Sequence, residues 1–257
     1  MTYAAIILER HGHTAVVRLN RPEKHNAISR DMSRELIACL DALEADDDVR
    51  VIVLTGAGEK SFCAGADMGQ AALEGESAAG GRKDWAAQAA LRLLRVRKPL
   101  IAAVNGYAYG GGALFAVNCD IRVCSETARF RFVGATYGLV VGGSQLPRVV
   151  GGPLAKELLF TARTVDAGEA LRIGLANRVV AASELEREVL DMAAMIAQNS
   201  PAAVLASKEV VDIATSVKDA ARREMEHNLS LRDSQEHKER FRAAAERVVR
   251  PAEETSE

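Results

Sequence analysis

The chain has 257 residues, is 48% hydrophobic and 26% charged, and carries a formal net charge of −2, so it can bury a sizeable core without disulfide or metal staples. That near-neutral balance offers no broad attraction for nucleic acid, and no apolar run reaches the length that spans a bilayer, which sets aside nucleic acid and membrane as partners. Met1 to Leu8 lacks a basic stretch followed by a long apolar one, and Cys39, Cys63, Cys119 and Cys124 form no CxxC pair and sit in apolar runs. Reduced thiols in a cytoplasmic protein are the expectation.

In chain order, His11-Gly12-His13 comes first. Two histidines at that spacing face one side of a strand, but with no third ligand they fall short of a zinc site, and a solvent-facing hairpin is the simpler reading. Thr14 to Asn20 alternates as a β-strand does, and Asp31 to Ala45 places Leu36, Ile37, Leu40 and Leu43 on one helical face. Val49 to Thr55 is a continuous apolar strand. Met68 to Trp85 has four glycines, several charges and little periodicity, and reads as a loop or lid. Pro99 to Asn105 is a further strand, followed by a glycine-rich turn, the apolar stretch Ala113 to Asn118 and a short strand at Asp120 to Cys124. From Ser183 onward the pattern is helical, with Pro201 starting a helix after Asn199-Ser200 and a polar tail at Pro251 to Glu257. The basic residues Lys238, Arg240, Arg242, Arg247 and Arg250 alternate with Glu236, Glu239 and Glu246, a solvated and paired helix surface. The class expected is α/β.

Two turns carry the chemistry. Ser61-Phe62-Cys63-Ala64-Gly65-Ala66-Asp67 has small residues that let backbone approach a ligand, which leaves the Ala64 amide free to point outward. Asn105-Gly106-Tyr107-Ala108-Tyr109-Gly110-Gly111-Gly112 runs from a strand into an apolar helix, whose first turn offers unpaired amides and partial positive charge. Two amides converging on one thioester oxygen would stabilise an enolate, and losing one such donor costs about 3 to 4 kcal/mol of transition-state stabilisation.

At the family's spacing, SFCAGAD and NGYAYGGG, with Arg21-Pro22-Glu23-Lys24-His25-Asn26-Ala27 before them and Gly174-Leu175-Ala176 after, resemble the crotonase (enoyl-CoA hydratase/isomerase) superfamily over nearly the whole chain. The resemblance implies a spiral of strand-strand-helix units over residues 1–195, forming the acyl-CoA-binding core. It implies a helical C-terminal region over residues 196–257 that builds a homotrimer, often paired into a hexamer. By similarity, Ala64 and Gly111 supply the oxyanion amides, Lys24, His25 and Ala27 meet the adenine and phosphates of coenzyme A, and Ala64, Gly65, Ala66 and Asp67 border the thioester. No tightly bound cofactor and no metal is implied; coenzyme A enters as part of the substrate.

The family's hydratases move protons with two glutamates, each of which must lie within hydrogen-bond reach of the proton it moves. Their places are held here by Leu114 and Gly134. General acid–base assistance is worth about 100 to 10,000-fold per group, so ordinary hydration is disfavoured. The segment Gly138 to Gln145 is shorter than the family's glycine-rich turn, and Ala244 stands where a phenylalanine is common. Tyr137 and Asp67 are the candidate substitutes for acid and base, with Thr136, Tyr109 and the acids Glu74, Glu76 and Asp84 behind them. Asp67 has the duller reading of a turn-fixing carboxylate, and the tyrosines that of packing residues. Arg131 is a candidate for a carboxylated acyl tail, or an exposed strand arginine. Ser144 has no histidine and carboxylate arranged as a triad. The readings that remain are an enolate-stabilising acyl-CoA enzyme of the hydratase/isomerase type, a decarboxylase or thioester hydrolase on the same scaffold, and an acyl-CoA-binding protein without turnover.

Overall fold

The computed structural model describes residues 3–70, 85–215, 218–232 and 234–249. The chain begins with a hairpin of β1 (Ile6–His11) and β2 (Thr14–Leu19), antiparallel, whose turn is made by Gly12 at φ +58° and His13. Helix α1 (Arg30–Ala45) follows, started by Ser29, whose hydroxyl accepts from the Met32 amide at 3.1 Å. Its inward face is Met32, Ser33, Leu36, Cys39, Leu40 and Leu43, the spacing of three and four that one helical side requires. Burying each leucine stabilises the fold by about 1.5 to 3 kcal/mol.

The next elements alternate between two sheets. Strands β3 (Val51–Gly56), β5 (Leu100–Val104) and β7 (Ile121–Ser125) lie parallel in a six-stranded sheet of order β1-β2-β3-β5-β7-β10, with β10 at Arg178–Val180. Each of the three is followed at once by a three-residue strand of a second sheet: β4 (Ser61–Cys63), β6 (Tyr107–Tyr109) and β8 (Arg129–Arg131). Antiparallel β9 (Thr164–Asp166) completes that sheet in the order β4-β6-β8-β9. Helix α2 (Trp85–Leu94) comes after β4 and helix α3 (Gly111–Asn118) after β6, so the chain climbs by strand, strand and helix as the sequence implied. Strands β3 and β5 are buried along their whole length, which explains their unbroken apolar runs.

After β8 come the short helix α4 (Leu146–Val150), α5 (Gly152–Thr161) and α6 (Ala167–Arg172). Helix α7 (Leu185–Gln198) lays Leu185, Val189, Met192 and Ala193 on the open face of the large sheet, against Val51, Val53, Ile101 and Val123. Helix α8 (Pro201–Ala214) starts at the expected proline behind a Ser200 cap and buries no residue, leaving Val210, Val211 and Ile213 exposed. Helices α9 (Lys218–Arg232) and α10 (Gln235–Val249) close the described chain. Among the described residues no single helix is long and apolar enough to cross a membrane. The loop expected at Met68 to Trp85 falls mostly outside the described residues, and Trp85 itself opens α2.

Candidate active site

The two glycine-rich turns meet because strands β4 and β6 are parallel neighbours, with Ser61 paired to Tyr107 and Cys63 to Ala108. The contact is backbone on backbone. A side-chain carbon placed on Gly112 would fall 1.9 Å from the Cys63 carbonyl oxygen; one placed on Gly65, which sits at φ +90°, would fall 2.8 Å from the Tyr109 oxygen and 3.0 Å from the Gly111 nitrogen. Glycine is therefore required at both positions, for approach at the first and for approach and conformation at the second.

A third segment pins the first turn. His25 and Asn26 adopt left-handed conformations at φ 50° and 54°, and the buried Asn26 side chain donates to the Ala57 and Ser61 carbonyls at 2.9 and 2.8 Å and accepts from the Arg21 amide at 3.0 Å. Next to it, Ile28 bridges to Ala66: the Ile28 amide donates to the Gly65 carbonyl at 2.7 Å and the Asp67 amide to the Ile28 carbonyl at 3.1 Å. The Ala64 amide, the donor expected from the sequence, is committed to the His25 carbonyl at 3.0 Å. This corrects the sequence reading: Ala64 faces the pinning segment, whereas the Gly65 carbonyl and Asp67 amide on either side of Ala66 both bond to Ile28, so the Ala66 amide between them is turned away from that segment. Ala66 is exposed, and among the described residues its amide and that of Gly111 donate to no protein acceptor.

Lys24 and His25 are exposed on the same pinning segment, Ala27 is half-buried, and the His25 Nδ1 lies 2.9 Å from the Ser61 hydroxyl. Asp67 is paired with Arg21 at 2.8 Å and accepts from the Gln70 amide at 3.1 Å, while Arg21 also donates to the Ala27 carbonyl at 2.8 Å. Burial pushes the Asp67 carboxyl up, but the Gln70 amide and the Arg21 guanidinium outweigh it and hold the group below its usual range. A carboxylate so held is a weak base. The nearby Cys63 thiol is pushed up to about 12 by burial, which removes it as a nucleophile.

Beyond the turns, β8 delivers the chain to Gly134. Gly110 donates to the Arg131 carbonyl at 2.9 Å, and a carbon on Gly110 would meet the Val133 side chain at 3.1 Å, so Gly134 follows immediately beside the start of α3. A side-chain carbon at Gly134 would fall 2.9 Å from the Leu139 oxygen and 3.0 Å from the Val141 nitrogen. Residues 139–141 therefore fill the space a side chain there would use. Leu114, on α3, is half-buried and packs against the main core.

The remaining candidates are placed as follows. Tyr137 is half-buried in a short 3-10 turn, its carbonyl accepting from His237 Nδ1 at 2.7 Å; Thr136 is exposed; Tyr109 packs its ring on Tyr107 at 5.3 Å. Arg131 is half-buried with its Nε donating to the Ala162 carbonyl at 2.7 Å. Glu74, Glu76 and Asp84 lie outside the described residues. His13 occupies the hairpin turn, with its Nδ1 2.9 Å from the Asp48 carbonyl, so His11 and His13 do not share a strand face. His11 does approach Glu9 and Glu186, but Arg18 already bridges those two carboxylates at 3.0 and 2.7 Å and meets their charge.

The two turns thus offer backbone donors in contact with one another. The Enoyl-CoA hydratase/isomerase family model matches residues 9–250. The chain is 43% identical over 212 residues to a short-chain-enoyl-CoA hydratase of Clostridium acetobutylicum, covering 80% of each chain. It is 37% identical over 254 residues to the (E)-benzylidenesuccinyl-CoA hydratase of Thauera aromatica, covering 94% of this chain and 96% of that one. The structure of an enoyl-CoA hydratase/isomerase from Xanthobacter autotrophicus Py2 superposes with a TM-score of 0.86 at 28% identity, over 95% of this chain and 93% of that one. The extent of these matches and the strand-strand-helix spiral lead to one conclusion: the chain belongs to the enoyl-CoA hydratase/isomerase family, the crotonase superfamily.

Proposed function

We propose that the protein binds an acyl-CoA thioester with its carbonyl oxygen on the amides of Ala66 and Gly111, and stabilises the enolate formed when the α-carbon loses a proton to solvent water, which returns a solvent proton when the enolate collapses. The observation that carries this reading is the pair of backbone donors that meet no protein acceptor among the described residues, on two turns in direct contact. The Gly111 amide adds the partial positive charge of a helix start. The coenzyme A moiety lies along Lys24, His25 and Ala27, with Gly65 and Asp67 at the thioester; Asp67 serves there as the partner that fixes Arg21 and the turn. The helical C-terminal region carries exposed Val210, Val211 and Ile213 on α8, an apolar face that suits association into a homotrimer or hexamer in the cytoplasm.

Leu114 and Gly134 leave no proton carrier at either glutamate place, so water addition is not the reaction proposed. Incubation with acyl- and enoyl-CoA thioesters in deuterated water tests the reading. Deuterium uptake at the α-carbon that is lost on changing Gly111 to proline, in a protein that stays folded, supports it; uptake unaffected by that change sinks it. A second reading is favoured by the filled space at Gly134: acyl-CoA is held without turnover. Calorimetric binding with neither exchange nor product would select it over the first.

A further inference from the structure

Two side chains from the C-terminal helices grip the segment that stands in place of the second acid. Glu224, on α9, accepts from three successive amides, Gly142 at 2.6 Å, Gly143 at 3.2 Å and Ser144 at 2.8 Å. Consecutive amides converging on one carboxylate form a concave anion nest, here filled by the chain's own glutamate. His237, on α10 and only 7% exposed, places Nδ1 2.7 Å from the Tyr137 carbonyl. A carbonyl can only accept, so Nδ1 carries the proton and the ring is fixed in one orientation. Its Cα lies 3.5 Å from where a carbon on Gly138 would sit, and its ring packs on Phe241 at 5.8 Å between centroids. The two grips bracket Leu139 to Val141, the residues that occupy the space beside Gly134.

We propose that Glu224 and His237 are positioning residues that clamp segment 137–144 at both ends and thereby fix the backbone wall beside the acyl group. This rests on the reading that a thioester occupies the neighbouring amide pair. A carboxylate with three amide donors is a strong anchor because each bond is charge-assisted. Without it the three amides must find water, and the wall loses its fixed distance from the start of α3.

The test uses the full-length protein, Glu224→Ala and Glu224→Gln, butyryl-CoA and free coenzyme A in calorimetry, and amide hydrogen exchange over residues 137–144. Glu224→Ala should bind butyryl-CoA at least about tenfold more weakly, a change of about 1.4 kcal/mol, while free coenzyme A binds as before. Segment 137–144 should lose protection, and added formate or acetate should restore both affinity and protection by refilling the nest. Should Glu224→Ala not fold, Glu224→Gln, which keeps one acceptor oxygen, should show the same pattern to a smaller degree. Equal weakening for both ligands, or no recovery with carboxylate, would overturn the clamp in favour of a general structural role. If the unaltered protein binds no butyryl-CoA, the thioester reading falls and the clamp is decided by exchange alone: carboxylate-reversible loss of protection sustains it, and unchanged protection refutes it.

Discussion

Replacing Gly112 with alanine should damage the site far more than replacing its neighbour Gly111 does the fold. The added carbon would stand 1.9 Å from the Cys63 carbonyl oxygen, 2.6 Å from the Cys63 carbonyl carbon and 2.8 Å from its Cβ, all of them parts of strand β4 or its attached side chain. Ordinary contact begins near 3.4 Å. Relief therefore requires the start of α3 and the first turn to separate by about 1.5 Å, and overpacking of this kind costs about 1 to 3 kcal/mol. Alanine is the better helix former by about 1 kcal/mol, which offsets part of that cost. The geometric consequence is larger, because a 1 Å misplacement of reacting groups costs about 100-fold in rate. At Gly111 the added carbon meets the Ile28 Cδ1 at 3.0 Å, the movable end of a side chain, so the fold should lose little. Urea unfolding of both variants, with α-proton exchange on butyryl-CoA for Gly112→Ala, tests the argument. A Gly112→Ala protein with unaltered stability and unaltered exchange would refute the claim that the two turns touch backbone to backbone.

Three further outcomes are expected. Gly134→Glu should not install hydratase activity, because Leu139 and Val141 already hold the space; loss of the enoyl absorbance of crotonyl-CoA is the readout, and steady turnover by the variant would contradict the packing. Asp67 has a folded-state pKa below its ordinary value of 3.8, so it contributes stability above that value and loses it as pH falls through the lower folded one. The stability gap between the unaltered protein and Asp67→Asn should thus be constant from neutrality to about pH 5 and shrink only in stronger acid; a gap that closes near neutral pH would show that the Arg21 pair does not hold it. All four cysteines are buried, and burial pushes Cys63, Cys119 and Cys124 up to about 12. Iodoacetamide at neutral pH should label none of them before unfolding, as read by intact mass.

The sequence made the long elements legible and the short ones not. Helix α1 and strands β2, β3 and β5 have enough residues to display a period or an unbroken apolar run. Strands β4, β6, β8 and β9 have three residues each, too few to show alternation, and they exist because they pair with one another across the chain. The two glycine-rich turns stood out by composition, and their contact follows from the parallel pairing of β4 with β6. Which amide of Ala64-Gly65-Ala66 is left unpaired did not stand out, since both alanines look alike in sequence and only the bridge to Ile28 sets their directions. The bond from His237 to Tyr137 spans 100 residues and that from Glu224 to Gly142 spans 82, separations at which no local pattern gives warning.

A site whose proposed donors are main-chain groups has an unusual relation to mutation. Side-chain replacement leaves the Ala66 and Gly111 amides in place, provided the glycines that let the turns touch are kept. Leu114 and Gly134 stand on other residues, so a change of side chain at either leaves those two amides where they are. In the proposed reading, holding the ligand and moving its protons thus fall to different parts of the chain, the first to main-chain groups and the second to side chains that can be exchanged without disturbing that hold.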